Sequence, residues 1–426
     1  MPWPWLFLGV TLVGAWFTFN AYLPHRRLGP LTIPSFFAGW LTSELSTHHF
    51  AWQLAATVFF VWMGALEAWP GWLGLGITLA SWVGLLAMVP VSGRAQHVVE
   101  EALLDALGDD YAREGAPALA EAARAAAAPR GRLLNPFRLH DPDVQRIGDV
   151  AYEPDGHPRH RLDVYRPRAD VRDAPVLLQI HGGGWVIGDK RQQALPLMLH
   201  LAARGWICVA TNYRRSPQVA FPEHLVDCKR ALRWIREHIA EYGGNPDFVV
   251  ATGGSAGGHL SSMVALTAGD ARYQPGFEGV DTSVQACVPF YGVYDFTNAH
   301  EKWAHGGIQS FLERVVMQKK LDEQRKAFED ASPMHRVHAD APPFFVIHGS
   351  HDSLAPVEEA RQFVRRLRRN SRAPVAYAEV PGAQHAFEVF HSLRTRHVVA
   401  GVDRFLDCIH ARWRAGTGPA AAASAR

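Results

Sequence analysis

Cysteine is scarce in this chain. Its 426 residues include four, Cys208, Cys228, Cys287 and Cys408, far apart and with no CxxC or CxxxC pair. That spacing argues against a disulfide framework and a clustered zinc site, so the four read as buried free thiols on two strands and two helices. An excess of either charge is lacking too, with 43 Lys and Arg against 41 Asp and Glu. A nucleic-acid partner, which needs a basic face, is therefore not expected. Internal repeats are also missing. The most telling gap is local: residues 3–23, "WPWLFLGVTLVGAWFTFNAYL", hold no charged side chain.

At about 1.5 Å per helical residue, that segment can cross a hydrocarbon core of about 30 Å. Residues 51–69, with one Glu, and 71–91 resemble it. Only Pro70 separates them, with Gly71 following, which predicts a tight helical hairpin. Trp3, Trp5, Trp52, Trp69 and Trp72 stand near segment ends, as in an interfacial aromatic belt. The stretch 31–49 carries Pro34, Glu44, His48 and His49 and reads as interfacial or as a poor span. A cleaved signal peptide competes for 1–23. The missing positive n-region and the apolar segments that follow favour a retained membrane helix. Arg26 and Arg27 follow the first segment and Arg94 the last. With three spans, the positive-inside tendency places the N-terminus outside and a C-terminal domain facing the cytoplasm.

The expected organisation is membrane-associated helices over 1–93, a helical linker over 94–145, an α/β domain over 146–413 and a disordered tail over 414–426. In the linker, 97–128 reads as two helices broken at Gly108 and around 115–117. From about residue 146, β-rich runs recur at 160–165, 175–180, 206–211, 247–252, 286–291, 343–348 and 375–380. Helical patterns lie between most of them. In 223–242, Leu225, Cys228, Leu232, Ile235 and Ile239 fall on one helix face. Continuous apolar strands alternating with amphipathic helices predict a mostly parallel sheet covered on both faces, with its site at the carboxyl ends of the strands.

The candidate residues stand after those strands. "GGSAG" (253–257) matches G-x-S-x-G between a strand and a helix, a turn that lifts the Ser255 hydroxyl above a sheet. A serine hydroxyl needs a base, and the base an orienting acid. Asp352 follows the strand 343–348 and His385 the strand 375–380, in the order Ser, Asp, His that this architecture uses. His351 is a decoy beside Asp352, and His259 a packing residue. "HGGGW" (181–185) follows the strand 175–180. An acyl-transfer intermediate needs N–H groups aimed at its oxyanion. Gly183 and Gly184, with Ala256 after the nucleophile, are the expected donors. His181 and Gly182 support the loop, and Trp185 is a wall or packing residue that is a tentative substrate contact.

"HGGGW", "GGSAGG" and "YRRSPQVAFPEHLVDCKRALRWI" (213–235) resemble the hormone-sensitive-lipase-like branch of the α/β-hydrolases. With the apolar N-terminal helices, the chain looks like membrane-attached actinobacterial esterases. The resemblance covers roughly 150–410. It implies an α/β-hydrolase fold and carboxylesterase or lipase activity on short or medium acyl chains, with no cofactor and no metal. Small-molecule or lipid esters and the bilayer are the implied partners. Two features depart from the branch. Gly254 stands where Asp is common, and "HDSLAPVEEA" looks more like feruloyl-esterase or peptidase-type hydrolases. Residues 298–335 read as a helical cap. The alternatives are an amidase, formamidase or acyltransferase with the same nucleophile, a feruloyl or acetyl esterase, and a non-catalytic ligand-binding relative.

Overall fold

The computed structural model describes residues 2–25, 31–108, 111, 130–299 and 307–416. Arg26, Arg27, most of 109–129 and the last ten residues lie outside them, so the second linker helix and the tail are not described.

Eight strands form one sheet in the order β1-β2-β4-β3-β5-β6-β7-β8. They are β1 Val144–Ala151, β2 Arg161–Pro167, β3 Ala174–Ile180, β4 Ile207–Thr211, β5 Gly244–Gly254, β6 Ala286–Phe290, β7 Phe344–Gly349 and β8 Val375–Val380. β1 and β2 are antiparallel to their neighbours, and from β4 to β8 every pair is parallel. The predicted runs all become strands. β1 was not predicted, because it is an edge strand with mostly exposed or half-exposed side chains and no continuous apolar run.

Side chains alternate across the pleat. Val176, Leu178 and Ile180 pack on one face with Leu225, Leu232, Leu260 and Phe363. Leu177 and Val250 pack on the other with Leu103, Leu201 and Phe405. The first face carries the helices Glu223–His238, Ala256–Leu266 and Val357–Asn370. The predicted helix-face residues Leu225, Cys228, Leu232, Ile235 and Ile239 are all fully buried. All four cysteines are free and buried.

The N-terminal region holds α1 Trp3–Tyr22, α2 Thr32–Glu44, α3 Ser46–Trp62 and α4 Trp69–Gly93. Two helical runs, Trp3–Tyr22 and Trp69–Leu107, are long and apolar enough to cross a membrane. The segment expected at 51–69 is instead the 17-residue α3. The hairpin does not turn at Pro70. The chain reverses over 63–68 with Gly64 at φ 86°, and Pro70 lies in the first turn of α4, where its missing N–H costs no helix bond. Thr18 meets Ser81, and Tyr22 donates to Gly84 O, while Phe7 stacks on Phe60 and Phe17 lies by His49. Thus α1 and α4 run parallel and α3 opposes them.

Part of the expected linker packs into the sheet domain. α5, Ala95–Leu107, buries Val99, Ala102, Leu103 and Leu107 in the second core face. Its pattern is that of a docked amphipathic helix. Gly401, on the last helix Leu393–Arg414, permits the approach: a Cβ there would stand 2.1 Å from Val99 Cγ1. Gly401→Val is expected to destabilise the fold by about 1–3 kcal/mol through overpacking. Thermal unfolding should show a Tm lowered by several degrees, and an unchanged Tm would mean that α5 does not dock there.

Candidate active site

Because β3 and β5–β8 are parallel, their carboxyl ends share one edge. Register places Ile180 beside Gly253, Gly254 beside Phe290, Phe290 beside Ile347 and Gly349 beside Val380. The predicted residues leave from those ends.

Ser255 follows β5 at φ 59° and ψ −120°, and caps the helix Ala256–Leu266. This backbone region is costly for a residue with a side chain and persists only where its surroundings impose it. Helix and sheet cross so closely that a Cβ at Gly257 would lie 2.0 Å from Ile180 O. The Ser255 N–H is anchored on Phe290 O at 3.0 Å. Tyr291 touches both Gly254, before the serine, and His385. Its hydroxyl lies 2.6 Å from where a Cβ of Gly254 would be, and its ring centroid is 4.4 Å from that of His385.

Asp352 and His385 meet. His385 Nδ1–H donates to Asp352 Oδ2 at 2.7 Å. The other oxygen, Oδ1, accepts from the N–H groups of Leu354 and Ala355 at 2.8 and 2.7 Å. Burial alone would raise the Asp352 carboxyl. The facing His385 and His348 outweigh it and hold the group well below the usual carboxylate range. With only acceptor oxygens on Asp352, the His385 proton is fixed on Nδ1 and Nε2 is left as the basic atom. His348, unremarked in the sequence, lies 3.2 Å from Asp352 Oδ2 and donates to Ala355 O. His351 is turned away and reaches Ala21 O at 3.2 Å.

The glycine loop lies against Ser255. A Cβ at Gly182 would stand 3.1 Å from Ser255 Cβ and 2.5 Å from Gly254 O, so a larger residue is excluded. Its N–H donates to Gln193 Oε1 at 2.6 Å. Among the described residues, the N–H groups of Gly183, Gly184 and Ala256 donate to no protein acceptor. Gly183 (φ 109°) and Gly184 (φ 57°) turn the loop. His181 is locked beneath it. Arg159 Nη2 donates to His181 Nε2 at 2.8 Å. Since Arg has no acceptor, Nδ1 must carry the ring proton, which it donates to Gly182 O at 2.7 Å. Burial pushes the imidazole down to about 3, so it stays neutral near pH 7.

Trp185 is not at an open wall. Its ring is 2% exposed and lies edge-on to His259 and Phe296. Its Nε1–H donates to His259 Nδ1 at 3.3 Å, and His259 Nε2–H donates to Ala331 O at 2.8 Å. Trp185 is therefore corrected from tentative substrate contact to packing. In 298–335, part of which is outside the described residues, Gly307–Phe311 and Arg325–Asp330 are short helices. Phe311 Cζ lies 3.7 Å from where a Cβ of Gly184 would be, so this segment borders the loop.

Such a sheet, with a strained serine after β5 and a paired Asp and His beyond β7 and β8, defines an α/β-hydrolase. The chain belongs to the α/β-hydrolase esterases. It is 44% identical over 414 residues to the probable carboxylic ester hydrolase LipM of Mycobacterium tuberculosis, covering 97% of this chain and 95% of that protein. Esterase LipQ of the same organism is 44% identical over 325 residues, 75% of this chain and 76% of its own. The BD-FAE family model matches residues 162–367. Esterase B of Lactobacillus rhamnosis, solved in an inhibited form, shares the fold with a TM-score of 0.54 and 24% identity over 70% of this chain and 97% of its own. The protein is a carboxylic ester hydrolase acting on ester substrates.

A buried acid beneath the site was invisible in the sequence. Tyr291 donates its hydroxyl to Glu388, whose carboxyl burial pushes up to about 7, with the Tyr291 bond opposing. A raised acid pKa means that folding favours the protonated form. This stabilisation is complete below the unfolded value of about 4.3 and is lost as pH rises through about 7. The loss amounts to something on the order of 3 kcal/mol. In Tm measurements at pH 5 and pH 8, Glu388→Gln should lose less stability with rising pH than the wild type. An equal loss would place the carboxyl's titration elsewhere.

Proposed function

We propose that this esterase is a membrane-anchored serine hydrolase that cleaves short- to medium-chain carboxylic esters through Ser255, His385 and Asp352. The observation that carries the reading is the Asp352–His385 hydrogen bond of 2.7 Å on the sheet edge where β5 also ends in a serine held at φ 59°. Ser255 Oγ attacks the ester carbonyl and gives its proton to His385 Nε2. The negative charge on the tetrahedral carbonyl oxygen is met by the N–H groups of Gly183, Gly184 and Ala256. His385 passes the proton to the leaving alcohol; it then takes one from a water whose oxygen attacks the acyl carbon, and gives it to Ser255 Oγ as the acid leaves. Asp352, whose ionised form the facing His385 and His348 favour, stabilises the imidazolium. An oxyanion donor of this kind is worth about 3–4 kcal/mol.

The membrane reading is supported by two helical runs long and apolar enough to span and by their parallel course. With α3 opposed, the N-terminus falls on one side and the hydrolase domain on the other, at the end that carries Arg94. The positive-inside tendency makes that side the cytoplasm.

An ester panel of increasing acyl length, run on the full chain with Ser255→Ala as control, tests the chemistry. Wild type should turn over short and medium esters, with a loss of about 10⁴-fold or more in kcat for Ser255→Ala. Equal turnover by both proteins would refute the assignment.

A further inference from the structure

α2 is thirteen residues long, about 20 Å at 1.5 Å per residue and too short to span a bilayer. It lies instead on the loop that carries His385. Phe36 stands edge-on to the His385 ring, with centroids 6.4 Å apart and planes at 71°. Trp40 stacks on Phe36 at 5.6 Å and packs on Phe390 at 5.2 Å. Its Nε1–H donates to Ala386 O at 2.9 Å. Ala386 directly follows the histidine and holds φ 59°, a conformation that needs outside restraint in a residue with a Cβ.

A second grip lies at the end of α2. Glu44 Oε1 pairs with Arg394 at 3.0 Å, both side chains being at most 1% exposed. Arg394 also donates to Ser43 O at 2.7 Å and to Pro381 O at 2.8 Å, before the histidine. Ser392 donates to Glu44 Oε2 at 2.7 Å. Beside it, Thr395 Oγ1 bonds Phe387 O and Phe390 O, after the histidine. The loop is thus held on both sides of His385 by groups that α2 completes.

We infer that α2 is a working part of the active site: Phe36 and Trp40 are positioning residues that set the His385 ring for proton transfer. The N-terminal region is then a component of the catalyst as well as an anchor. This rests on His385 being the base, and it extends that reading to residues more than 300 positions upstream.

The test uses the full-length chain and a short, water-soluble aryl ester. Trp40→Phe removes the N–H and keeps the ring. It should lower kcat about tenfold, the worth of one well-made hydrogen bond, with KM within about twofold and Tm unchanged. Phe36→Ala should do the same or more. Leu12→Ala, on the exposed side of α1, should leave kcat alone. Retention of kcat within about twofold by Trp40→Phe overturns the inference, as does an equal loss in Leu12→Ala. If Phe36→Ala fails to fold, Trp40→Phe decides alone. Ser255→Ala in the same assay separates the readings: if it stays active the triad fails, and if it is dead while the α2 variants are normal only this inference fails.

Discussion

The site depends on one close crossing. The helix Ala256–Leu266 passes over β3 and β5 with room only for hydrogen at Gly257, where a Cβ would meet Ile180 O at 2.0 Å. That contact leaves the chain a single sharp turn after β5 and holds Ser255 at φ 59°. It also brings the glycine loop after β3 onto the serine, with Gly182 tight against Ser255 and Gly254. The lock of His181 between Arg159 and Gly182 O then keeps the loop in place without adding a titratable group near neutral pH. Strain in one residue is paired with rigidity around it, as pre-organised acyl-transfer sites require.

The second organising feature is the joint between the N-terminal helices and the hydrolase domain. A flexible tether would leave the catalytic loops self-sufficient. Here a fully buried Glu44–Arg394 pair crosses the joint. Breaking one side of such a pair typically costs about 3–5 kcal/mol, because the other charge is left buried alone. α1 also reaches the acid loop through Ala21 O and His351, and α5 is packed into the core. The apolar N-terminal helices and the loops after β7 and β8 therefore share one folded unit.

Much of the sheet and the candidate residues were legible in the sequence, for local reasons. Apolar runs such as "PVLLQI" become buried strands, and "GGSAG" and "HGGGW" are short contiguous glycine motifs readable without knowing that they crowd each other across the fold. β1 escaped notice because an exposed edge strand has no apolar run to betray it. The hairpin at Pro70 was misplaced because proline also suits the first turn of a helix. Trp185 was legible only as an aromatic beside the loop, since its direction depends on His259 and Phe296, both far along the chain. Glu388, His348, Gln193, Glu44 and Trp40 had no local signature at all. Their partners stand from four to more than three hundred residues away, and only the fold brings them together.

The central claim is that Ser255 is the acyl-accepting nucleophile of this esterase. Mass spectrometry of the intact protein and its peptides, after quenching turnover of a slow ester at low pH, tests it directly. The account predicts one acyl mass increment, located on the peptide containing Ser255 and absent in Ser255→Ala. An increment on another residue, or one that persists in Ser255→Ala, would contradict it.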